Sequence, residues 1–232
     1  MRAWSLRPLA VAAAVMVVVA GNDARRTSRV VADEKPAYQA AGPTIKLFNG
    51  KNLDGWTYYL REPGAKMEDV WTVTDEGVLI CAGRPAGYIR TKDKFTNFVL
   101  ELEWRFDKAK KPGNSGVLLR MVGQDKVWPK SVEAQLQHQN AGDIWNIDQF
   151  PMKVVAERTS GRRTVKLKPT NEKPLGEWNH YRIVMDGGNL KLYVNGELQN
   201  EATEVEEVAG HICLQSEGAE IQFRNIHLTP LK

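Results

Sequence analysis

The chain has 232 residues, 26% of them charged, with a formal net charge of +4 and two cysteines. The excess charge is local: residues 1–32 carry five Arg and one Asp, which leaves 27 basic and 27 acidic residues from Asp33 onward. A neutral body sets up no field to gather a phosphate backbone, so nucleic-acid binding is disfavoured.

In chain order, Arg2 and Arg7 precede an apolar run from Leu9 to Ala20, which ends in Val18-Val19-Ala20 before Gly21. A basic start, a short hydrophobic segment and small residues at its end predict a secretory signal peptide over residues 1–20. The run of twelve residues is too short to cross a bilayer as a helix, which takes about 20. The mature chain is therefore expected to be exported, periplasmic or extracellular, with no membrane span. Residues 21–43, with Pro36, Pro43 and scattered charges, read as a flexible lead-in.

Residues 44–232 fit one domain. Short alternating segments recur there with turn signals between them, and no helical period runs beyond a couple of turns. IKLF is followed by Asn49-Gly50, VWTVT by Asp75-Glu76-Gly77, and HYRIVMD by Gly187-Gly188-Asn189. LKLYV runs into Asn195-Gly196, a hairpin signal because a type I′ turn needs positive φ at both centres. The expectation is an all-β antiparallel sandwich or jelly roll of two sheets. Cys81 and Cys213 sit within strand-like segments among apolar neighbours and read as buried free thiols.

Three strands carry the polar chemistry. In FVLELEWRF, Phe98, Leu100, Leu102, Trp104 and Phe106 form the apolar side, against Glu101, Glu103 and Arg105. In GVLLRMV, Val117, Leu119 and Met121 oppose Leu118 and Arg120; in SVEAQLQ, Val132, Ala134 and Leu136 oppose Glu133, Gln135 and Gln137. Period-two alternation gives each strand one face to bury and one to display. If the three are neighbours, Glu101, Glu103, Arg120, Glu133 and Gln135 merge into one charged, amide-rich floor. Trp128 and Trp145 flank the Glu133 strand and offer aromatic faces to a sugar ring. Gln215 and Glu217, at the end of GHICLQSEG, are placed to border the same cleft.

The motifs LFNGKNLDGW (Leu47–Trp56), GNSGVLLR, VEAQL, AGDIW, GEWNHYRI, YVNG and GHICLQSEGAEIQFRNI, in that order, resemble the 3-keto-disaccharide hydrolase family, also described as 3-keto-glucoside lyase/hydratase domains. The resemblance spans Ile45 to Leu231. It implies the concanavalin A-like lectin/glucanase sandwich, export, and action on glycosides already oxidised at C3. Laminarinase-like glucanases of that sandwich carry E-x-D-x-x-E, and the matching spacing here is Glu133, Gln135 and His138. Retaining hydrolysis needs two carboxyl groups about 5 Å apart, and this strand supplies one, so either Glu101 or Glu103 is the second or the reaction is a different one; the 3-keto reading needs no second carboxylate.

A C3 ketone acidifies the C2 proton, so elimination of the C1 group followed by addition of water needs a base, an oxyanion stabiliser and a proton donor. On this reading Glu133 or His138 is the base and the other the acid, while Arg120 polarises the ketone. Gln135 and Asn114 hold sugar hydroxyls, and Asp143 orients a base or binds a metal. No cofactor is evident, and a divalent metal is admissible. The partner is an oxidised disaccharide or glycoside. The alternative is a non-catalytic lectin-like carbohydrate-binding module, which the same sandwich supports.

Overall fold

A computed structural model describes residues 38–232; the predicted signal peptide and most of the lead-in lie outside the described residues. The first strands are Ile45–Lys46 (β1), Trp56–Leu60 (β2), Trp71–Val73 (β3), Leu79–Cys81 (β4) and Gly87–Thr91 (β5). Next come Phe98–Arg105 (β6), Gly116–Val122 (β7), Lys130–Gln135 (β8), Ile144–Ile147 (β9), Thr159–Ser160 (β10) and Arg163–Thr164 (β11). Asn179–Asp186 (β12), Asn189–Val194 (β13), Glu197–Ala202 (β14), His211–Ser216 (β15) and Ile221–Pro230 (β16) complete the set. Among the described residues the only helical pieces are two single 3-10 turns, Met67–Asp69 and Ala156–Arg158. None of the helices there is long and apolar enough to cross a membrane.

The strands form two antiparallel eight-stranded sheets, as the alternating segments and turn residues predicted. One runs β14-β13-β12-β6-β16-β4-β3, with β1 added on β16; the other runs β10-β11-β9-β8-β7-β15-β5-β2. Leu100, Leu102 and Trp104 of β6 meet Val117 and Leu119 of β7 and Val132 and Ala134 of β8 in one buried core. Burial of such large apolar side chains, about 1.5–3 kcal/mol each, is what fixes which face of each strand turns inward. The β13–β14 hairpin turns on Asn195 and Gly196, with φ of 49° and 85°, the positive pair expected of that dipeptide. Cys81 lies in the inter-sheet core and Cys213 in a separate cluster with Tyr88, Leu118 and Met121, so both stay free thiols.

Two expectations about the floor are overturned here. β6 does not neighbour β7; it pairs with β12 and β16 in the opposite sheet. Glu101 and Glu103 therefore lie on the outside of the other sheet, where Glu101 pairs with Arg182 at 3.1 Å and Glu103 with Arg224 at 2.5 Å. Half-exposed pairs of this kind contribute about 1 kcal/mol or less. Glu101→Gln and Glu103→Gln are each expected to leave turnover within about threefold of wild type, read by steady-state kinetics; a loss of a hundredfold would return them to the site.

Arg120 is the second correction. β7 is bulged between Leu119 and Val122, and Arg120 adopts φ 48°. The extra residue breaks the alternation, as bulges do: Met121 joins Leu118 on the outer face, and Arg120 is left fully buried. Its Nε donates to Thr96 O at 3.0 Å, Nη1 to Val205 O and Glu206 O at 3.2 and 2.7 Å, and Nη2 to Asn97 Oδ1 and Gly187 O at 3.0 and 2.8 Å. All five guanidinium donors are thus used to tie three loops together.

Candidate active site

The outward face of the β7–β8–β9–β15 region holds a hollow of about 140 Å³, lined among others by Asn114, Trp128, Glu133, Gln135, Trp145, Arg162 and Glu217. Register explains the gathering. Leu118, Glu133 and Trp145 stand opposite one another on β7, β8 and β9, and Gly116 stands opposite Gln135. Directly paired residues point to the same face, so Glu133, Gln135 and Trp145 share the hollow with the bare backbone of Gly116.

That bare backbone is required. A Cβ on Gly116 would lie 2.5 Å from Glu133 Oε1 and closer still to Gln215 Oε1. Both oxygens are buried and make no hydrogen bond within the protein; the same holds for Asn114 Oδ1 and Trp145 Nε1. Leaving a buried polar atom unpaired costs about 1–3 kcal/mol, so a cluster of four around one hollow marks a place prepared for a polar ligand. Gly116→Ala is expected to displace the carboxyl and the amide together and to lower turnover on the order of 10²-fold, with the melting temperature changed far less. Wild-type kinetics from this variant would show that the two oxygens do not need their present positions.

Glu133 is 4% exposed. Burial first, and the Glu217 carboxylate second, hold its proton well above the usual carboxylate range, with Arg162 opposing. Glu217 is also raised, chiefly by burial, but Trp128 and Asn114 donate to its carboxylate and Arg162 attracts it, all of which favour its charged form. Both carboxyls thus hold their protons above the usual range, Glu133 the more strongly, and two carboxyl groups of unequal proton affinity in one site are suited to acid and base roles. Arg162 packs its guanidinium over the Trp145 ring at 5.7 Å. Gln135 Oε1 is occupied by the backbone N–H groups of Leu136 and Gln137 at 2.8 and 2.9 Å, which leaves its amide N–H2 for a ligand.

Of the residues proposed from sequence, Glu133, Gln135, Asn114, Trp128 and Trp145 come together, with Gln215 beside them. His138 does not. β8 ends at Gln135, and beyond it His138 sits 3.3 Å from Glu172 with its ring edge-on to Phe106, outside the hollow's lining. Asp143 is fully buried and both its oxygens are engaged: Oδ2 by Arg163 at 2.6–2.7 Å and Oδ1 by the Lys166 N–H at 2.9 Å. It locks the 163–166 segment to the sheet and lies outside the hollow's lining, so it does not orient a base there as expected. Sequence reasoning missed Arg162, which lies in a turn with no period to reveal its direction. Glu217, which the sequence placed only at the border of the cleft, lies just beyond β15 and lines the hollow itself; Glu101 and Glu103, the candidates for a second carboxylate, do not.

Fold and face together define a jelly roll of the glucanase and lectin type, with a buried carboxyl, Glu133, and a half-buried one, Glu217, lining one hollow on its outward sheet face. A Bacillus licheniformis beta-glucanase shares this fold with a TM-score of 0.57 at 12% identity, over 83% of this chain and 100% of that one. Within that class the chain belongs to the 3-keto-alpha-glucoside-1,2-lyase-like domain family, whose sequence model matches residues 43–229. A 3-keto-disaccharide hydrolase of Bacteroides thetaiotaomicron is 28% identical over 163 residues, 63% of this chain. The chain spans about half the length of that curated relative, 53%. A crystal structure from Parabacteroides distasonis, described as a glycosyl hydrolase, superposes with a TM-score of 0.59 at 26% identity over 82% of this chain and all of that one.

Proposed function

We propose that the protein is an exported enzyme that cleaves glycosides whose sugar is already oxidised at C3, by elimination and hydration with net hydrolysis. The observation that carries this is the buried, unpaired Glu133 carboxyl sharing one hollow with Glu217. Family membership and the name of the Bacteroides relative support the substrate class. The Leu9–Ala20 run supports export.

The chemistry follows from the pair. Glu217, whose proton affinity burial raises less than that of Glu133 because Trp128, Asn114 and Arg162 favour its ionised form, takes the C2 proton. The electron pair moves into an enolate on the C3 oxygen, and collapse of the enolate breaks the C1–O bond. Glu133, which holds its proton, passes it to the departing oxygen. Arg162 and the Gln135 amide supply the positive end for the developing oxyanion, the role expected earlier of Arg120. Water then adds across C1 and C2: Glu133, now ionised, takes the water proton, and Glu217 returns its proton to C2. Both carboxyls end as they began, and the products are the aglycone alcohol and the free 3-keto sugar.

A lectin site has no use for a buried carboxyl whose ionisation is opposed; such a group is retained at a cost in stability where proton transfer needs it. The test is to incubate the purified protein with a 3-keto-glucoside and with its unoxidised parent. Release of aglycone from the first and none from the second is expected. Equal release from both would make the protein an ordinary glycosidase, and binding without release from either would make it a lectin.

A further inference from the structure

Among the described residues the hollow opens at both sides into a further groove. Next to it, past Ile147 and Arg162, opens a groove of about 750 Å³ that also takes in Lys126, Asp148 and Met152. On the Glu217 side opens a second groove of about 370 Å³, reaching Arg61, Glu62 and Arg84. Trp128 lines all three. The order of strands shows how they lie. The wide groove is over the far end of β9, the hollow over β9 and β8 and the entry to β7, and the narrow groove over the stretches that enter β5 and leave β2. The three depressions therefore run as one cleft across the strands, with the carboxyl pair near its middle.

Each groove is of the size that holds a small-molecule group of its own, roughly 300–1,000 Å³. The Trp128 indole, 44% exposed and faced by the Arg61 guanidinium at 5.5 Å, is a large apolar surface kept in solvent where the three meet. An exposed tryptophan with a polar rim suits the C–H face of a pyranose, apolar in its body and wet at its edges. A site for a terminal sugar alone would need a wall on one side; among the described residues each side opens into a groove.

Resting on the 3-keto-glycoside reading above, we propose that this cleft binds oligosaccharides in which the oxidised residue is internal, so that sugar units extend from it in both directions. The leaving unit occupies the wide groove beside Arg162. The narrow groove beside Arg84 holds the sugar attached to the far side of the oxidised residue.

Affinity of the Glu133→Gln variant, which retains its ligands, is measured by calorimetry for three probes. These are a methyl 3-keto-glucoside, a diglucoside oxidised on its non-reducing unit, and a 1→4-linked triglucoside oxidised on its middle unit. Each added unit is expected to tighten binding about tenfold, and Arg84→Ala in the same background to lower the triglucoside-to-diglucoside ratio severalfold. Wild-type turnover of the diglucoside is followed in parallel. Cleavage of the diglucoside with no tighter binding of the triglucoside overturns the open cleft and leaves the proposed reaction standing. Stepwise tightening without cleavage upholds the cleft and removes the reaction. Binding of none of the probes overturns the cleft outright.

Discussion

Glu133→Gln is expected to lower turnover of a 3-keto-glucoside by 10²–10⁴-fold, the usual contribution of one positioned acid or base, while substrate binding is largely kept. The same change should make the protein more stable. Glu133 is buried with an unpaired oxygen, and its folded proton affinity is raised above the ordinary value of 4.5. In the window above that value the folded state holds a proton that the unfolded state has released. The wild type thus has its full stability from this group below pH 4.5 and loses it as pH rises through the raised value. Glutamine has no such slope, and its N–H2 offers a donor to the Gln215 Oε1 that shares the space over Gly116. Relief of unpaired polar burial is about 1–3 kcal/mol, or several degrees in melting temperature. The gain should appear at pH 8 and vanish near pH 4. Retained turnover, or a variant melting below wild type at pH 8, would remove Glu133 from the role given to it. Catalysis should itself fall at both extremes, at low pH as Glu217 is protonated and at high pH as Glu133 ionises, with the two apparent values belonging to the pair.

Arg120→Met is expected to act in the opposite sense, costing about 3–5 kcal/mol of stability and little of the chemistry. Five acceptors in the 96–97, 187 and 205–206 loops lose their donor, four of them backbone carbonyls. Arg120→Lys keeps the charge and should recover only part of the loss, because an ammonium has three donors and no planar fork. Chemical denaturation reads the first effect. Turnover measured well below the melting transition reads the second and should stay within a few-fold of wild type. Normal stability with turnover reduced a hundredfold would mean that the guanidinium serves the ketone after all.

These two arginine and glutamate positions show what alternation conveys and what it hides. Glu133 and Gln135 were legible because β8 is regular over Lys130–Gln135 and its apolar residues are all claimed by one core. Arg120, one strand away, was misread because a single extra residue in β7 reverses every face beyond it, and no residue type announces a bulge. Glu101 and Glu103 were assigned to the correct face of their strand but the wrong sheet. Which strands become neighbours depends on chain closures over long distances, and period two contains no such information. Asp143 was expected to orient a base or bind a metal; its partner Arg163 lies 20 residues on, a pairing set by tertiary structure. The hairpin at Asn195-Gly196 and the all-β class were legible throughout, since both depend on local backbone preference.

The pairing of β6 has a consequence for how the chain reaches this state. Its two neighbours are β12 and β16, and Phe98 sits beside Met185 on one side and Pro230 on the other. The centre of that sheet therefore waits for its first neighbour until Asp186 has emerged and for its second until nearly the whole polypeptide has. Such non-local topologies fold slowly, on the order of milliseconds to seconds, and FVLELEWRF has the hydrophobicity and strand propensity of a self-associating segment. Glu101, Glu103 and Arg105 interrupt it at every second position. Charges so placed discourage two copies from stacking while the segment waits. The carboxylates that play no part in the site are, on this view, guardians of the nascent chain.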